Sequence, residues 1–330
     1  MKLLITGASG FIGTHAVAYF SGSGVDLQNL DLHPPLDPAH YGFWRSVDIM
    51  DSDALRDAIC AYAPTHVIHM AARTDCDENT TVEKDYRVNT IGTENVLSAV
   101  QSCPSIQRAI IVSSQYVCGP GRLPEHDEDF FPHTVYGQSK VLAELATRRA
   151  GLKCAWTLVR PVNVWGPWHL RYAREAWSVI QRGLYLHPAG APVIRSYGYV
   201  GNVTWQMARI FKAPVDQVNG CVFYLGDLPL DIIEWVNAFS LELRGRRVRC
   251  VPRPVLHLLG MIGSALVQVG LNFPITLSRV RSMTQDYRTP MDKTISAFGV
   301  PPFTLEEGVA ETMRWLRLVS EQPGLLSVKG

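Results

Sequence analysis

Two side chains one helical turn apart have the types needed for proton transfer. Tyr136 and Lys140 are the first and last residues of the segment YGQSK, and a spacing of four residues places both on one face of a helix. Tyrosine, with a pKa of about 10, is a poor base near neutrality. A nearby lysine ammonium favours the phenolate and so brings the proton acceptor closer to the working pH. The pair predicts acid–base chemistry at a hydroxyl group.

A third polar side chain is expected at the same place. Ser114 ends a predicted strand over 108–114, immediately before the segment that leads to Tyr136. Open parallel sheets place their chemistry at the carboxyl ends of strands, where a serine can donate a hydrogen bond to a substrate oxygen. We therefore expect Ser114, Tyr136 and Lys140 to be the catalytic residues.

The first strand-to-helix turn, TGASGFIG, predicts a dinucleotide site. Its glycines, Gly7, Gly10 and Gly13, allow a tight turn, close approach to a pyrophosphate and close packing of helix on strand. Asp31 ends the second predicted strand, where a carboxylate accepts hydrogen bonds from ribose hydroxyls and repels a 2′-phosphate. The pattern favours NAD over NADP, and the positive nicotinamide of NAD⁺ would further favour a Tyr136 phenolate.

The elements that position these residues alternate between strands and helices. Strands are predicted over 2–6, 25–31, 65–72, 108–114 and 154–161, with helices over 11–24, 52–63, 90–102 and 139–151. This alternation predicts an α/β fold, a Rossmann-type doubly wound parallel sheet. After residue 161 the alternation stops. We expect an NAD-binding domain over 1–164 and a smaller mixed substrate-binding lobe over 165–330, whose helix over 304–318 starts with a capping box at Thr304 and Glu307.

Composition and charge exclude several classes of protein. A chain of 330 residues with 47% hydrophobic and 18% charged residues can bury a large core, and a net charge of +1 gives no general attraction to nucleic acid. Seven scattered cysteines without a CxxC pair indicate reduced thiols, and no export signal opens the chain, so we expect a cytoplasmic protein. His126 and His133 flank an acidic loop without metal-ligand spacing, so we expect no metal site.

The segment 255–271 is apolar but has only seventeen residues, whereas about 20 are needed to cross a bilayer. We expect a buried or partly buried helix there rather than a membrane-surface segment, and no membrane span. The preceding run RGRRVRCVPR (244–253) holds five arginines, which form either a solvated loop or a site for an anionic ligand.

Taken together, the motifs resemble those of the extended short-chain dehydrogenase/reductase family, especially its nucleotide-sugar epimerase, dehydratase and reductase branch, which includes UDP-glucose 4-epimerase. The resemblance extends over nearly the whole chain, in the motifs TGASGFIG (6–13), Asp31, Asp48-Ile49, HMAA (69–72), NTIGTENVL (89–97), VSSQYVCG (112–119), YGQSK (136–140), RPVNVWGP (160–167) and EEGVAETMRWL (306–316).

The resemblance implies roles for further residues. Cofactor binding is implied for Gly7, Ser9, Gly10, Phe11, Ile12, Gly13, Asp31, Asp48, Ile49, Met70, Ala71, Ala72, Asn89, Tyr136, Lys140 and Pro161. Within that set, Asp48 and Ile49 would flank the adenine, and Pro161 would border the nicotinamide. Substrate binding is implied for Ser114, for Asn163 and Arg195 at the diphosphate, and for Arg281 or Arg279 as the partner of Arg195. A homodimer is also implied.

Departures from the family pattern narrow the reaction. Members that eliminate water carry an Asp-Glu pair after the serine or threonine, and decarboxylating members keep a Glu, whereas this chain has Gln115 and Tyr116. Neither residue can serve as a carboxyl acid or base. Cys118 replaces a family tyrosine, and the stretch RSYGYVGNV (195–203) lacks the family's acidic pair.

Hydride chemistry at a secondary alcohol remains. A 4-epimerase acting on a nucleotide-diphosphate sugar, with UDP as the favoured nucleotide, through a 4-keto intermediate fits best. A 4-keto-sugar reductase is the alternative, and Asp31 favours the epimerase because biosynthetic reductases more often use NADPH. A 3β-hydroxysteroid-type or flavonoid-type dehydrogenase and a non-enzymatic NAD sensor are weaker alternatives. The complete set of Ser114, Tyr136 and Lys140 argues against a sensor.

Overall fold

The computed structural model describes residues 1–271, 273 and 275–321. Its strands are β1 (Lys2–Thr6), β2 (Asp26–Asp31), β3 (Trp44–Ser46), β4 (His66–His69), β5 (Arg108–Val112), β6 (Ala155–Pro161), β7 (Asn163–Trp165), β8 (Leu186–Pro188), β9 (Ile194–Arg195), β10 (Tyr197–Tyr199), β11 (Val222–Leu225), β12 (Leu230–Asp231) and β13 (Arg249–Val251).

Its helices are α1 (Phe11–Gly22), α2 (Ser52–Tyr62), α3 (Val82–Asp85), α4 (Arg87–Ser102), α5 (Val135–Arg149), α6 (Leu170–Tyr172), α7 (Ser178–Gln181), α8 (Val200–Lys212), α9 (Val215–Val218), α10 (Ile232–Arg244), α11 (Arg253–Gln268), α12 (Leu277–Thr284), α13 (Asp292–Phe298) and α14 (Leu305–Ser320). A five-residue π-helix, Ala173–Trp177, joins α6 to α7.

The centre of the protein is a seven-stranded parallel sheet in the order β11-β6-β5-β4-β1-β2-β3. This arrangement confirms the predicted doubly wound Rossmann-type fold. Alternate residues of β1 point to opposite faces: Leu3 and Ile5 pack in one core cluster, whereas Leu4 packs in another with α2 and α4. Helices therefore cover both faces, and the strand ends are left free to form a site.

The division of the chain at residue 164 remains a prediction, and the sheet does not stop there. Strand β11, which lies well beyond that residue, pairs with β6 and forms the edge of the Rossmann sheet. Its four buried residues were not anticipated because a run this short is weak evidence for a strand. The last nine residues of the predicted lobe, 322–330, lie outside the described residues.

The C-terminal part adds short strand pairs and helices around the end of the sheet. Strand β7 pairs with β10, β9 with β12, and β8 with β13. At its C-terminal helix, Thr304 and Glu307 form the predicted capping box of α14. In the described part of the chain, no helix has the length and apolarity required to cross a bilayer.

Candidate active site

The glycine turn between β1 and α1 accepts no larger residues at two of its positions. Gly7 has a φ of +77°, and a Cβ there would lie 2.4 Å from the Ala71 backbone nitrogen. A Cβ on Gly13 would lie 2.3 Å from the Ala8 Cα, so α1 packs directly on the turn. Gly10 caps α1 without a side-chain hydrogen bond, which leaves the first helical N–H groups facing the turn. This geometry fits a dinucleotide pyrophosphate.

Asp31 lies beside this turn, as expected for a ribose contact. Its carboxylate accepts hydrogen bonds from the backbone N–H groups of Ser9 (3.1 Å) and His33 (3.0 Å). Burial raises the pKa of Asp31, and the hydrogen bonds from His33 and Ser9 partly offset that effect. The Ser9 hydroxyl in turn accepts a hydrogen bond from the Asn29 amide. The carboxylate is thus fixed in direction at the end of β2, next to the glycine turn.

Two other residues of the turn also belong to the first turn of α1. Ile12 is half-buried against the core, and the Phe11 ring lies 4.6 Å from the ring of His169. The aromatic contact connects the start of α1 to the segment that follows β7.

The residues expected around the adenine differ in exposure. Asp48 is exposed, and its carboxylate accepts a hydrogen bond from the Met50 N–H. Ile49 is buried in the core, where a Cβ on Gly92 would lie 2.7 Å from its Cδ1. Its packing against α4 therefore accounts for this isoleucine, and an adenine contact stays a prediction.

The segment after β4 passes closest to the glycine turn. Met70, Ala71 and Ala72 are half-buried, and the Met70 N–H donates to the Thr6 carbonyl. His69 is buried between the hydroxyls of Thr6 and Thr93, and burial lowers the pKa of its imidazole to about 3. His69 is thus a neutral packing residue that holds the segment in place.

Asn89 connects this segment to the helix that bears the predicted base. Its side-chain oxygen accepts a hydrogen bond from the Arg73 N–H, and its amide donates to the Arg73 carbonyl and to the Ser139 hydroxyl. Ser139 lies on α5 directly before Lys140. Asn89, expected near the cofactor, is completely buried, and through these contacts it connects the segment after β4 to α5. The region between the glycine turn and Tyr136, at the carboxyl ends of the strands, is called the cleft below.

Ser114, Tyr136 and Lys140 are brought together at the carboxyl end of β5. Thr134 caps α5, which begins earlier than predicted and includes both Tyr136 and Lys140. The Tyr136 phenol lies near Ser114, whose hydroxyl acts to lower the Tyr136 pKa, and the Lys140 ammonium donates to the Val112 carbonyl at 3.0 Å. All three residues are buried.

Burial controls the protonation of this group. It raises the pKa of Tyr136, and the Ser114 hydroxyl acts in the opposite direction. It also lowers the pKa of Lys140 to about 8, although the Glu144 carboxylate favours the ammonium. In the protein alone the tyrosine is therefore a neutral phenol, and its ionisation requires additional positive charge in the cleft.

Aromatic rings enclose the Tyr136 phenol. The ring centroids of Tyr86 and Tyr116 lie 6.3 Å and 5.9 Å from that of Tyr136. Tyr116 stacks on His133 at 5.4 Å, and the Tyr287 hydroxyl donates to the carbonyls of Gln115 and Cys118. The residue that follows Ser114, Gln115, is buried, and its amide makes no hydrogen bond within the described residues.

A buried ion pair next to the predicted catalytic residues was missed by the sequence analysis. Both guanidinium contacts of Arg160 with the Glu144 carboxylate are 2.8 Å long, and Arg160 also donates to the Tyr224 hydroxyl. The Tyr224 hydroxyl donates to the buried Cys118 sulfur. Glu144 continues the four-residue spacing of Tyr136 and Lys140, which is the signal that could have identified it.

The predicted substrate residues lie on the neighbouring short strands. Pro161 ends β6, and Asn163 begins β7 and pairs with Tyr197 of β10. Arg195, on β9, is buried and donates to the Ser282 hydroxyl of α12, while its Nε has no partner among the described atoms. Arg281 is exposed on α12 beside Ser282. Asn163 and Arg195 thus lie on neighbouring short strands, Arg281 lies next to the Ser282 that Arg195 contacts, and the binding of a diphosphate by these residues stays a prediction.

Among the described residues, no group of three or more histidine, cysteine or acidic side chains could hold a metal ion. His133 stacks on Tyr116. Burial raises the pKa of the Cys118 thiol.

Comparisons with known proteins agree with this geometry. Residues 3–226 match the model of the NAD dependent epimerase/dehydratase family. The N-acetyl-alpha-D-glucosaminyl-diphospho-ditrans,octacis-undecaprenol 4-epimerase of Escherichia coli O157:H7 is 25% identical over 95% of both chains. A 3 beta-hydroxysteroid dehydrogenase/Delta 5-->4-isomerase of Mycobacterium tuberculosis (strain CDC 1551 / Oshkosh) is 27% identical over 74% of this chain and 70% of its own.

The fold is also that of a solved epimerase. The crystal structure of the UDP-glucose 4-epimerase of Thermus thermophilus in complex with NAD superposes with a TM-score of 0.69 and 21% identity, over 96% of this chain and 99% of that one. Because the family model matches most of the chain, the protein belongs to the NAD-dependent epimerase/dehydratase family, whose members are NAD-dependent enzymes of the extended short-chain dehydrogenase/reductase type.

Proposed function

We propose that this protein is a 4-epimerase that acts on a nucleotide-diphosphate sugar, UDP-linked, through a 4-keto intermediate. The observation that carries the proposal is the buried contact of Tyr136 with Ser114, next to Lys140 and beside a turn that only glycines permit. Gln115 and Tyr116 occupy the positions where the resemblance places the acids of dehydratases, so the cleft offers redox chemistry at an alcohol without an acid for elimination.

In this proposal, Gly7, Gly10 and Gly13 receive the pyrophosphate of NAD, and Asp31 receives the adenosine ribose. NAD bound there would supply the hydride acceptor and donor for the sugar C4, and the positive charge of its oxidised ring would favour the Tyr136 phenolate. Tyr136 takes the proton of the C4 hydroxyl and later gives it back. Ser114 donates a hydrogen bond to the same oxygen and holds it near the phenol.

Lys140 supplies a second positive charge at this point, and at pH 7 it remains mainly an ammonium because its pKa is about 8. Burial by Tyr86 and Tyr116 keeps water away from the keto sugar. Asn163, Arg195 and Arg281 would hold the diphosphate, with the Arg195 Nε available for such a contact.

A second carrier for the same sugar chemistry is favoured by one relative. The Escherichia coli 4-epimerase, which aligns over 95% of both chains, is named for a substrate with an undecaprenol in place of a nucleoside. Both substrates present a diphosphate to the basic side of the cleft, and the residues that act at C4 are the same.

The test is incubation of the purified protein with UDP-glucose or UDP-N-acetylglucosamine and NAD, without added reductant. We expect interconversion of C4 epimers, and Tyr136→Phe serves as the matched inactive control. In a parallel incubation with a 4-keto sugar and added NADH, stoichiometric consumption of NADH without epimer interconversion would instead identify a reductase. Oxidation of a 3β-hydroxysteroid with no reaction of either sugar would identify the steroid class and contradict the proposal.

We also propose that the protein forms a homodimer and that it is cytoplasmic. Light scattering of the purified protein, which should give twice the monomer mass, tests the first part, and fractionation of cells tests the second.

A further inference from the structure

The helix α11 has an apolar face that the protein itself does not cover. Its inner face is narrow: Leu256, Gly260 and Gly263 are buried, and a Cβ on Gly263 would lie 1.9 Å from the Ile275 carbonyl. The close approach that these glycines allow brings α11 against the segment leading into α12. The rest of the helix surface is left outside.

The outer face is a continuous apolar stripe. Leu258, Ile262 and Val269 are 54%, 46% and 72% exposed, and with Val255 and Ala265 they follow the alternating three- and four-residue spacing of one helix face. Eight of the twenty large apolar side chains that are exposed in the described chain lie between 255 and 277. A surface helix of a soluble protein normally turns polar residues outward, so the pattern here is inverted.

The charge around this stripe is unbalanced. From Leu243 to Gln285 the sequence has seven arginines and no acidic residue, whereas the remainder, with 24 basic and 30 acidic residues, has a net charge of −6. Arg246, Arg247 and Arg249 are exposed immediately before α11, on and next to β13. Arg279 and Arg281 lie on α12, which packs against α11. Positive charge therefore lies in the segment before the apolar stripe and on the helix packed beside it.

We propose that α11 and its arginine borders form a docking surface for an anionic phospholipid bilayer, on which α11 lies in the plane of the interface. Apolar side chains on such a helix enter the boundary between headgroups and acyl chains, and the arginines attract the acidic headgroups. A symmetric contact with a second copy would place the same arginine-rich segments against each other, which like charges oppose.

The docking surface is adjacent to the candidate active site. Arg195 donates to Ser282 on α12, the Ile194 N–H donates to Asp286, and Tyr287 reaches the carbonyls beside Ser114. A membrane-bound protein would therefore present its diphosphate side close to the lipid surface. This part rests on the proposed function and deepens it, because it favours a sugar diphosphate carried by a membrane lipid.

The test is flotation of the full-length protein with vesicles of phosphatidylglycerol and phosphatidylcholine, compared with vesicles of phosphatidylcholine alone. We expect binding to the anionic vesicles that weakens at high salt. The double variant Leu258→Glu with Ile262→Glu should weaken binding at least about tenfold, because two charges enter the apolar boundary. Leu318→Glu, at a side chain on α14 that is 61% exposed, is the matched control and should bind as the native chain does.

The charge contribution has its own pair of variants. Each of Arg246→Gln and Arg247→Gln should weaken binding to anionic vesicles roughly fivefold, the equivalent of about 1 kcal/mol per arginine. Arg56→Gln, at a half-exposed arginine on α2, is the control. All altered side chains are exposed, so the melting temperature should stay constant and show that each variant is folded.

Three results would contradict the docking surface. They are no flotation of the native chain, equal binding to vesicles without anionic lipid, or light scattering that shows a dimer for the native chain and a monomer for Leu258→Glu. The last result would assign the stripe to a second copy. The failure of the epimerase proposal is measured separately, because the vesicle experiment needs no substrate and the UDP-sugar assay needs no vesicles.

Discussion

The cleft at the end of the parallel sheet and the α11–α12 pair both depend on glycines, with opposite results. At the cleft, Gly7 and Gly13 bring backbone against backbone, beside an Asp31 carboxylate whose direction is fixed by hydrogen bonds. In the pair, Gly260 and Gly263 also bring two segments together, but the apolar side chains that remain are turned outward. Close packing at glycines therefore does not decide what a region can do. The side chains that face away from the glycine contact decide it, and these are polar at the cleft and apolar on α11.

The largest effect on turnover is expected from the loss of Tyr136, the predicted proton acceptor. Tyr136→Phe removes the proton acceptor, so turnover should fall by about 10²- to 10⁴-fold, the usual contribution of a general acid–base residue. NAD affinity, measured by calorimetry, should stay within a few-fold because the ring and its packing remain. Full turnover in this variant would refute the catalytic assignment, whereas the same substitution at exposed Tyr41 should leave the rate unchanged.

The buried ion pair beneath the cleft should dominate the stability of this region. Glu144→Gln leaves the Arg160 guanidinium without its anion, and breaking a buried pair on one side typically costs about 3–5 kcal/mol. Urea unfolding of the variant checks this value. Arg317→Gln, which breaks the exposed pair with Glu242, should cost less than about 1 kcal/mol. Equal losses in the two variants would contradict the difference in burial.

The two faces of α11 give the sharpest form of the comparison. Leu256→Ala deletes a completely buried side chain and should lower the free energy of unfolding by about 2–5 kcal/mol. Leu258→Ala, two residues further on and 54% exposed, should change it by no more than about 0.5 kcal/mol. A large loss from Leu258→Ala in the monomer would show that this face packs against the protein.

The free energy of unfolding should fall in acid because His69 is buried in its neutral form. Its folded pKa of about 3 lies below the value near 6.5 of the unfolded chain, so the unfolded state binds the extra proton between these values. Stability is therefore complete above about pH 6.5 and is lost as the pH falls toward 3, by at most about 1.4 kcal/mol per pH unit from this group. In His69→Asn, urea unfolding at several pH values should show a shallower decline, and an unchanged decline would exclude His69 as its source.

The smallest effect concerns cofactor choice. Asp31→Ala removes the ribose contact and the repulsion of a 2′-phosphate, so NAD affinity should fall about tenfold while NADP affinity falls less or rises. Binding of both nucleotides, measured side by side, gives the ratio. Asp216→Ala, at an exposed carboxylate on α9, is the comparison variant. An unchanged ratio in Asp31→Ala would count against the ribose contact.

Much of the cleft followed from sequence because its chemistry depends on local spacing. The glycine turn, Asp31 and the pair Tyr136 and Lys140 lie within single strand–helix units, where period and motif fix the geometry. The four-residue spacing could place Glu144 on the face of α5 that bears Tyr136 and Lys140, but its pairing with Arg160 joins two elements, α5 and β6, and no local pattern shows which buried charges meet.

The exposure of the outer face of α11 could not be predicted from the sequence, for a related reason. Periodicity shows that Leu258 and Ile262 share a face, but it does not show whether another element covers that face. The expectation of a partly buried helix fits only its inner side. Likewise, strands of two or three residues such as β9 and β12 have no period to detect, so the C-terminal lobe could be described only as mixed.

The hydroxyl of Tyr287 has a mechanical consequence. It is hydrogen-bonded to the carbonyls on either side of the short turn after Ser114, while its own backbone runs directly on from α12 and pairs with Arg195. A tilt of α12 would therefore pull on the turn that follows Ser114. Under the proposed function, recognition of the diphosphate and alignment of the sugar would be coupled through this one phenol.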